Sequence, residues 1–313
     1  MVPPIDRVFR LAEIFGKAVD LRLRTLKKLV QILSPIQTVQ FFIPAAQLHL
    51  KVREWSKKKE ATEAQNLGRS GGPEPFSEFC KRRFLEQKQD LDELKLAATN
   101  KSSNWDLRGL VRRVMCHYKN YYRVKSKSVK LNVLHMLAAA WMSPLEHAFL
   151  WIGGWRPTTA FHLLYSIIGL QLEAQLSELL AQRSTNRELS DLLPSQLIRI
   201  DELQMQTVKE ERDLTEALAT LQETLADSSM VELSHVTIEL IRGDDSDSVN
   251  EHYQRVKSKL GIKEDKLKEV FWKADNLRLR TLKNVVDILS PIQAVHLLIG
   301  AAELHLKLHE WGN

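Results

Sequence analysis

The chain has 313 residues, 44% hydrophobic and 27% charged, with 45 Lys and Arg against 39 Asp and Glu and a pI near 9.2. That length allows one large or two modest domains with ample core material. No apolar run reaches the ~18 residues needed to cross a bilayer, so no membrane partner is expected. The N-terminus has no long apolar stretch and carries Asp6, which argues against a secretory signal. Two cysteines, Cys80 and Cys116, cannot build a disulfide framework and fit a reducing compartment.

The N-terminal segment repeats the C-terminal one. Residues 18–55 align without gaps on residues 274–311, and about 25 of those 38 positions are identical. Leu21-Arg22-Leu23-Arg24-Thr25-Leu26 matches Leu277-Arg278-Leu279-Arg280-Thr281-Leu282, and Ile32-Leu33-Ser34-Pro35-Ile36-Gln37 matches Ile288-Leu289-Ser290-Pro291-Ile292-Gln293. Each copy reads as two helices, the second opened by a Ser-Pro-x-Gln cap. Two copies at opposite ends do not make a solenoid, which needs adjacent repeats. The expected organisation is a partial repeat over residues 1–55, a Lys- and Gly-rich linker over 56–74, and one domain over 75–313.

Further along, Leu85, Leu91 and Leu94 fit one helix face, and Leu107, Leu110, Val111 and Val114 fit another. Arg108 to Lys130 is basic, and the bland reading is a solvated helix face. Within it, Tyr118, Tyr121, Tyr122, Arg123, Lys125 and Lys127 mix aromatics with cations, as nucleic-acid and partner surfaces do. The i, i+3, i+4 tyrosine spacing weighs toward core packing. Cys116 beside His117 reads as a buried structural cysteine, because adjacent helical residues point about 100° apart. Residues 195 to about 228 read as an amphipathic helix with an irregular seam between Leu203 and Leu214, packed on the domain rather than zippered. No alternating strand pattern persists, so the fold is expected to be all-α: a multi-helix bundle with a duplicated N-terminal hairpin.

The segment from Trp141 to Pro157 is the most informative. Ser143-Pro144-Leu145-Glu146 reads as a capping box, so a helix should start near Leu145 and run through Trp151. Gly153-Gly154 should end it, with a left-handed glycine, and Pro157 should open the next helix. Trp141, Trp151 and Trp155 then crowd one helical corner. Near the C-terminus, His305 and His309 are one turn apart and could share a metal or a haem iron. The favoured alternative is amphipathic packing beside Leu304, Leu306 and Leu308, with no cofactor expected. The N-terminal copy has His49 but Arg53, and arginine cannot ligate. Asp244-Asp245-Ser246-Asp247 lacks the glycine and glutamate of a calcium loop and reads as an acidic surface loop. No phosphate-binding glycine loop or catalytic constellation is present, so no enzyme is expected.

Trp-x-x-Pro-Leu-Glu-x-Ala-x-x-Trp-x-Gly-Gly-x-Arg-Pro, from Trp141 through Pro144, Leu145, Glu146, Trp151, Gly153, Gly154, Trp155 and Arg156 to Pro157, resembles the core signature of the plant Delay of Germination domain. That domain also forms the C-terminal half of TGA-type bZIP transcription factors. Ala274-Asp275-Asn276-Leu277-Arg278, the segment around Pro291, and His305 to Trp311 carry the resemblance to the C-terminus. The resemblance implies a regulator of seed dormancy or a related programme, in the nucleus and also the cytoplasm. Its implied partners are type-2C protein phosphatases or bZIP factors. A bZIP basic region needs regular heptads behind it, and none follow Lys51 to Glu60. Sequence-specific DNA binding through basic helices, and a haem or metal sensor through His305 and His309, are the alternatives to an interaction module.

Overall fold

The computed structural model describes residues 4–43, 45, 46, 50, 75–100, 103–139, 141–180, 192–224, 227 and 246–312. The expected linker and the acidic pair Asp244-Asp245 lie outside them. The helices are α1 (Pro4–Ile32), α2 (35–43), α3 (Phe76–Thr99), α4 (Asn104–Leu131), α5 (Val133–Ala138), α6 (Pro144–Ala148), α7 (Thr159–Leu180), α8 (Pro194–Glu223), α9 (Ser246–Ile288) and α10 (Pro291–Gly312). There are no strands among the described residues, as the sequence pattern implies. The chain divides into two compact units, residues 1–68 with 223–260, and residues 69–222 with 261–313.

In the second unit two apolar clusters share α3, α4 and α9. One joins Leu94 of α3, Leu107, Val111 and Val114 of α4, Phe161 of α7, Ile200 of α8 and Val285 of α9 to Val295, Leu297 and Leu298 of α10. The other joins Phe76, Phe79 and Cys80 of α3 to Val129, Val133, Met136, Ile152 and Phe271. The α4 face agrees with its periodicity. The α3 face does not: Leu85 is exposed, and Arg83, Gln87 and Asp90 are buried beside Leu91 and Leu94. Arg83 turns inward because Glu86 (3.2 Å), Asp90 (3.7 Å) and the Tyr118 ring receive its charge. Cys116 also departs from expectation. It is exposed, whereas Cys80 is buried, and burial pushes the Cys80 thiol up to about 12.

Helix ends follow local chemistry where the signals are local. Ser103 caps α4 and Asn132 caps α5. Ser290 and Gln293 cap each other at the start of α10 (2.9 and 3.4 Å). In the first unit, Ser34 and Gln37 make the same pair (2.9 and 3.3 Å) between α1 and α2. Both copies thus show helix, break and helix, but their apolar faces have different fates. Leu277 is buried while its counterpart Leu21 is 61% exposed, and Leu26, Val30, Val39, Phe41 and Phe42 are exposed where the C-terminal copy is packed. Four of the replacements fall at tight or buried positions. Val19 stands at the position of Asp275, Phe41 and Phe42 at Leu297 and Leu298, and Pro44 at Gly300, where a Cβ would lie 2.7 Å from Ile167 Cδ1.

Among the described residues, neither cluster has a member before Phe76. Deleting residues 1–72 should therefore leave a body that melts cooperatively with unchanged helicity per residue, as read by circular dichroism. A molten or insoluble product would show that the N-terminal segment completes the core.

Candidate functional site

The Trp141–Pro157 corner is built as predicted at its start and differently at its end. Ser143 N donates to Glu146 Oε2 (2.8 Å) and Glu146 N donates to Ser143 Oγ (3.3 Å), so the capping box is formed and Pro144 opens α6. The helix stops at Ala148 rather than at Trp151. Trp151 and Gly154 then pair backbone to backbone across a two-residue turn (2.7 and 3.2 Å). The positive φ values belong to Ile152 (45°) and Gly153 (67°), not to Gly154. Two successive left-handed residues match the twist of a tight hairpin turn. A β-branched residue rarely adopts that region, so tertiary contacts must hold Ile152 there.

Those contacts come from two buried cations. Arg278, 0% exposed, donates through Nε to Trp155 O (2.7 Å) and through Nη2 to Ile152 O (2.9 Å) and Trp151 O. Lys125 Nζ donates to Gly153 O (2.7 Å). Both converge on Asp275 Oδ1, at 2.5 Å from Arg278 Nη1 and 2.8 Å from Lys125 Nζ. Burial pulls the Lys125 ammonium down to about 8, and the Asp275 carboxylate opposes that drop. A Cβ on Gly154 would sit 2.9 Å from Arg278 Cζ, and one on Gly153 would sit 2.2 Å from Phe271 Cε1. The glycine pair is therefore required by close approach on both sides. The exit is fixed by buried Glu211 of α8, which accepts from Thr158 N (2.6 Å), Thr158 Oγ1 (3.2 Å) and Arg156 Nε (2.7 Å). Pro157 sits in the turn just before α7 rather than in its first turn.

The indoles complete the corner at its margins. Trp151 and Trp155 are half-buried and donate to Thr215 Oγ1 (3.0 Å) and Tyr122 Oη (2.8 Å). Half-buried Trp141 packs edge-on to Phe76. Leu145 is half-buried and Arg156 exposed. Pro291 opens α10, and Trp311 near its end is exposed.

His305 and His309 do share a face, and that face meets α3 and α6. Both rings pack on Phe84, with centroids 5.0 and 4.1 Å away. His305 Nδ1 lies 2.8 Å from Gln87 Oε1, and His309 Nδ1 lies 3.0 Å from Glu146 Oε2. The capping glutamate of α6 thus also anchors α10. Among the described residues no three His, Cys, Asp or Glu side chains gather to hold a metal ion. A haem approaching these imidazoles has to displace Phe84 or take their outer edges. Packing against Phe84 lowers the basicity of His305, Glu146 opposes this, and the ring edge that remains in solvent (46% of the side chain) moderates the drop. Burial alone would raise the Glu146 pKa. The Ser143 amide and His309 outweigh it, so the carboxyl titrates below 4.5.

The aromatic–cationic run separates into interior and surface. Tyr122 and Lys125 are buried, Tyr118 and Tyr121 are half-buried, and Arg123 and Lys127 are exposed. Between α4 and α9 lies a groove of about 430 Å3, with Lys119, Arg123 and Lys130 on one wall, Lys268, Glu269 and Trp272 on the other, and Tyr122, Val129 and Asp275 below. Sequence reasoning assigned no role to Asp275, Arg278, Glu211, Phe84 or Trp272. Their signals were an Ala-Asp-x-Leu-Arg run whose carboxylate and guanidinium lie one helical turn apart, and single residues with no distinctive neighbours.

The seed dormancy control (DOG1) family matches residues 90–166, which hold α4 and the whole corner. The chain is 32% identical over 252 residues to the protein DOG1-like 3 of Arabidopsis thaliana, covering 78% of this chain and 86% of that protein. It is 30% identical over 241 residues to DOG1-like 4 of the same plant, covering 77% and 93%. It is also 30% identical over 227 residues to the A. thaliana transcription factor TGA2, covering 72% of this chain and 60% of that factor.

Asp275→Asn keeps the shape of the corner but removes the carboxylate shared by two buried cations. It should lower the unfolding free energy by about 3–5 kcal/mol, read from denaturant midpoints. Gly153→Ala should destabilise as well, through its φ and Phe271. Wild-type midpoints in both would show that the network does not hold the corner. The contacts of Glu146, His305 and His309 predict acid sensitivity. His305 is less basic folded than unfolded, so its contribution is complete above pH 6.5 and declines below it. The contribution of Glu146 is present above pH 4.5 and is lost as pH falls through its lower folded value. Melting temperature should decline from pH 7 to pH 4, and Glu146→Gln should flatten the part below 4.5 while steepening the part above it, because His305 loses the carboxylate that opposes its drop.

Proposed function

The chain belongs to the seed dormancy control family of DOG1-like proteins, and from that premise we propose that it is a non-enzymatic plant regulator of dormancy or a related developmental programme. It acts in the nucleus, and also the cytoplasm, by binding other regulatory proteins and so influencing transcription. The observation that carries this reading is the double relationship: the chain aligns with DOG1-like proteins over most of their length and with a transcription factor over three fifths of its length. The site chemistry agrees with it. The buried ionic groups at the corner, Arg278, Lys125, Asp275 and Glu211, are engaged with backbone carbonyls, an amide and one another. What the body offers outward is shape, charge and exposed aromatic surface, which is the equipment of an interaction module.

By the family resemblance, the partners are type-2C protein phosphatases or bZIP factors. A tobacco relative is named a TGACG-sequence-specific DNA-binding protein, but the match covers 48% of it. We therefore assign the DNA recognition named for that relative to the bZIP partner rather than to this chain. Purified chain should bind a purified type-2C phosphatase or TGA-type factor saturably by calorimetry. It should not retard TGACG duplexes by itself. Retardation that weakens steeply with salt would instead favour direct DNA binding.

A second reading rests on the shared face of His305 and His309, which fits a haem or metal ligand pair once Phe84 yields. Haemin and zinc titrated separately into wild type and the His305→Ala/His309→Ala variant test it. Saturable binding lost in the variant supports a sensor, and binding unchanged by the substitutions removes it.

A further inference from the structure

We propose that the groove between α4 and α9 is a docking site for an acidic segment of a partner protein that inserts one large apolar side chain. The proposal rests on the interaction-module reading above and names the place and chemistry of the contact.

The first observation is an uncompensated basic stripe. Arg108, Arg112, Lys119, Arg123 and Lys130 fall within an arc of about 60° over roughly 33 Å of α4, at 100° and 1.5 Å per residue. All five are exposed, and among the described residues none forms an ion pair; Arg123 only donates to Asn120 Oδ1. A helix usually interleaves acids one turn away from such cations. The sole acid of α4 is Asp106, which is bound to Ser103 in the first turn. Off the stripe, Arg113 is paired with Glu93 and Lys125 with Asp275. Lys127, about 40° beyond the arc, is likewise exposed and without an ion pair among the described residues, so the unpaired cations of α4 all lie on or beside this stripe.

The second observation is the groove along its C-terminal half. Its volume is of the order that holds a large side chain with adjoining backbone. The buried Tyr122 ring and Val129 lie beneath it. The opposite wall carries Trp272, 56% exposed, an aromatic of the kind that anchors protein interfaces. On that wall the charges neutralise one another, Lys268 with Glu264 and Asp265, and Lys273 with Glu269. An occupant therefore meets Tyr122, Val129 and the already paired Asp275 below, an indole on one side and free cations on the other. Carboxylates flanking one apolar residue complement all three. A nucleic-acid backbone does so less well, because its phosphates supply no apolar group for the floor formed by Tyr122 and Val129.

The test uses the full chain and a short fluorescein-labelled peptide with a central phenylalanine flanked by glutamates. Anisotropy should show saturable binding that weakens with salt, with a change in tryptophan emission that is absent in Trp272→Phe. Lys119→Glu/Arg123→Glu and Trp272→Ala should each weaken binding by roughly tenfold or more, with melting temperatures confirming that both variants are folded. A peptide with lysines in place of the glutamates should not bind. No binding of the acidic peptide to wild type, or equal binding to the folded variants, overturns the proposal. Duplex DNA binding that depends on the same residues, without peptide binding, overturns it in favour of a nucleic-acid surface. If a phosphatase or bZIP partner binds wild type and the double variant equally, the groove is not the contact, although the interaction reading stands. If the peptide occupies the groove while both family partners fail to bind, the groove stands and the partner reading falls.

Discussion

One guanidinium sets the terms for the rest of this structure. Between Trp151 and Trp155 the backbone turns inside the protein, where neither a helix nor a sheet receives its carbonyls. A buried carbonyl without a donor costs about 1–3 kcal/mol, and here several point inward together. Arg278 answers three of them and Lys125 a fourth. Two cations brought out of water then need an anion, and Asp275, on the same helix as Arg278, serves both. The arrangement ties α4, α9 and the corner at one point. Apolar burial supplies most of the driving force for folding, but the network decides which way the corner faces.

A second, smaller economy joins the other end of the corner to α10. Glu146 completes the cap of α6, as a glutamate at that position does in many helices. It also receives His309 from a helix more than 150 residues later. Gly312 continues the approach, since a Cβ there would lie 2.1 Å from Ser143 Oγ. The start of α6 is therefore both a local stop signal and a docking surface. This explains why the signature concentrates its unusual residues in so short a stretch. Its glycines make room, its tryptophans form the margins and its glutamate joins two elements.

What could be read from the sequence followed the range of the forces involved. The Ser143–Glu146 box, the Ser290–Gln293 cap and the α4 apolar face depend on residues within a turn or two, and each stands where the pattern placed it. The end of α6 did not follow the pattern. Its last turn is replaced by a hairpin whose carbonyls are held from α4 and α9, and no local rule places Ile152 at positive φ. Lys125 looked like one cation among several in a basic run. Only its partner, 150 positions away, shows it to be internal. The same holds for Arg83, drawn inward by Asp90 and Tyr118 while Leu85 faces water, and for Cys116, whose exposure depends on which side of α4 the body covers. Charge gave the least reliable sequence signal because a lysine reads alike at the surface and in the core.

The duplicated segment poses a problem of identity during folding. A newly made chain carries two stretches of nearly the same sequence and only one seat lined by Ile167, Lys125 and the corner carbonyls. The first stretch to leave the ribosome is the wrong one for that seat. Four of its departures fall at tight or buried positions of that seat. Valine at position 19 offers no carboxylate to Lys125, proline at position 44 brings atoms to where Ile167 tolerates only a glycine, and two phenylalanines replace leucines that already fill their space. The seat thus separates two look-alike segments by shape and charge at a few positions.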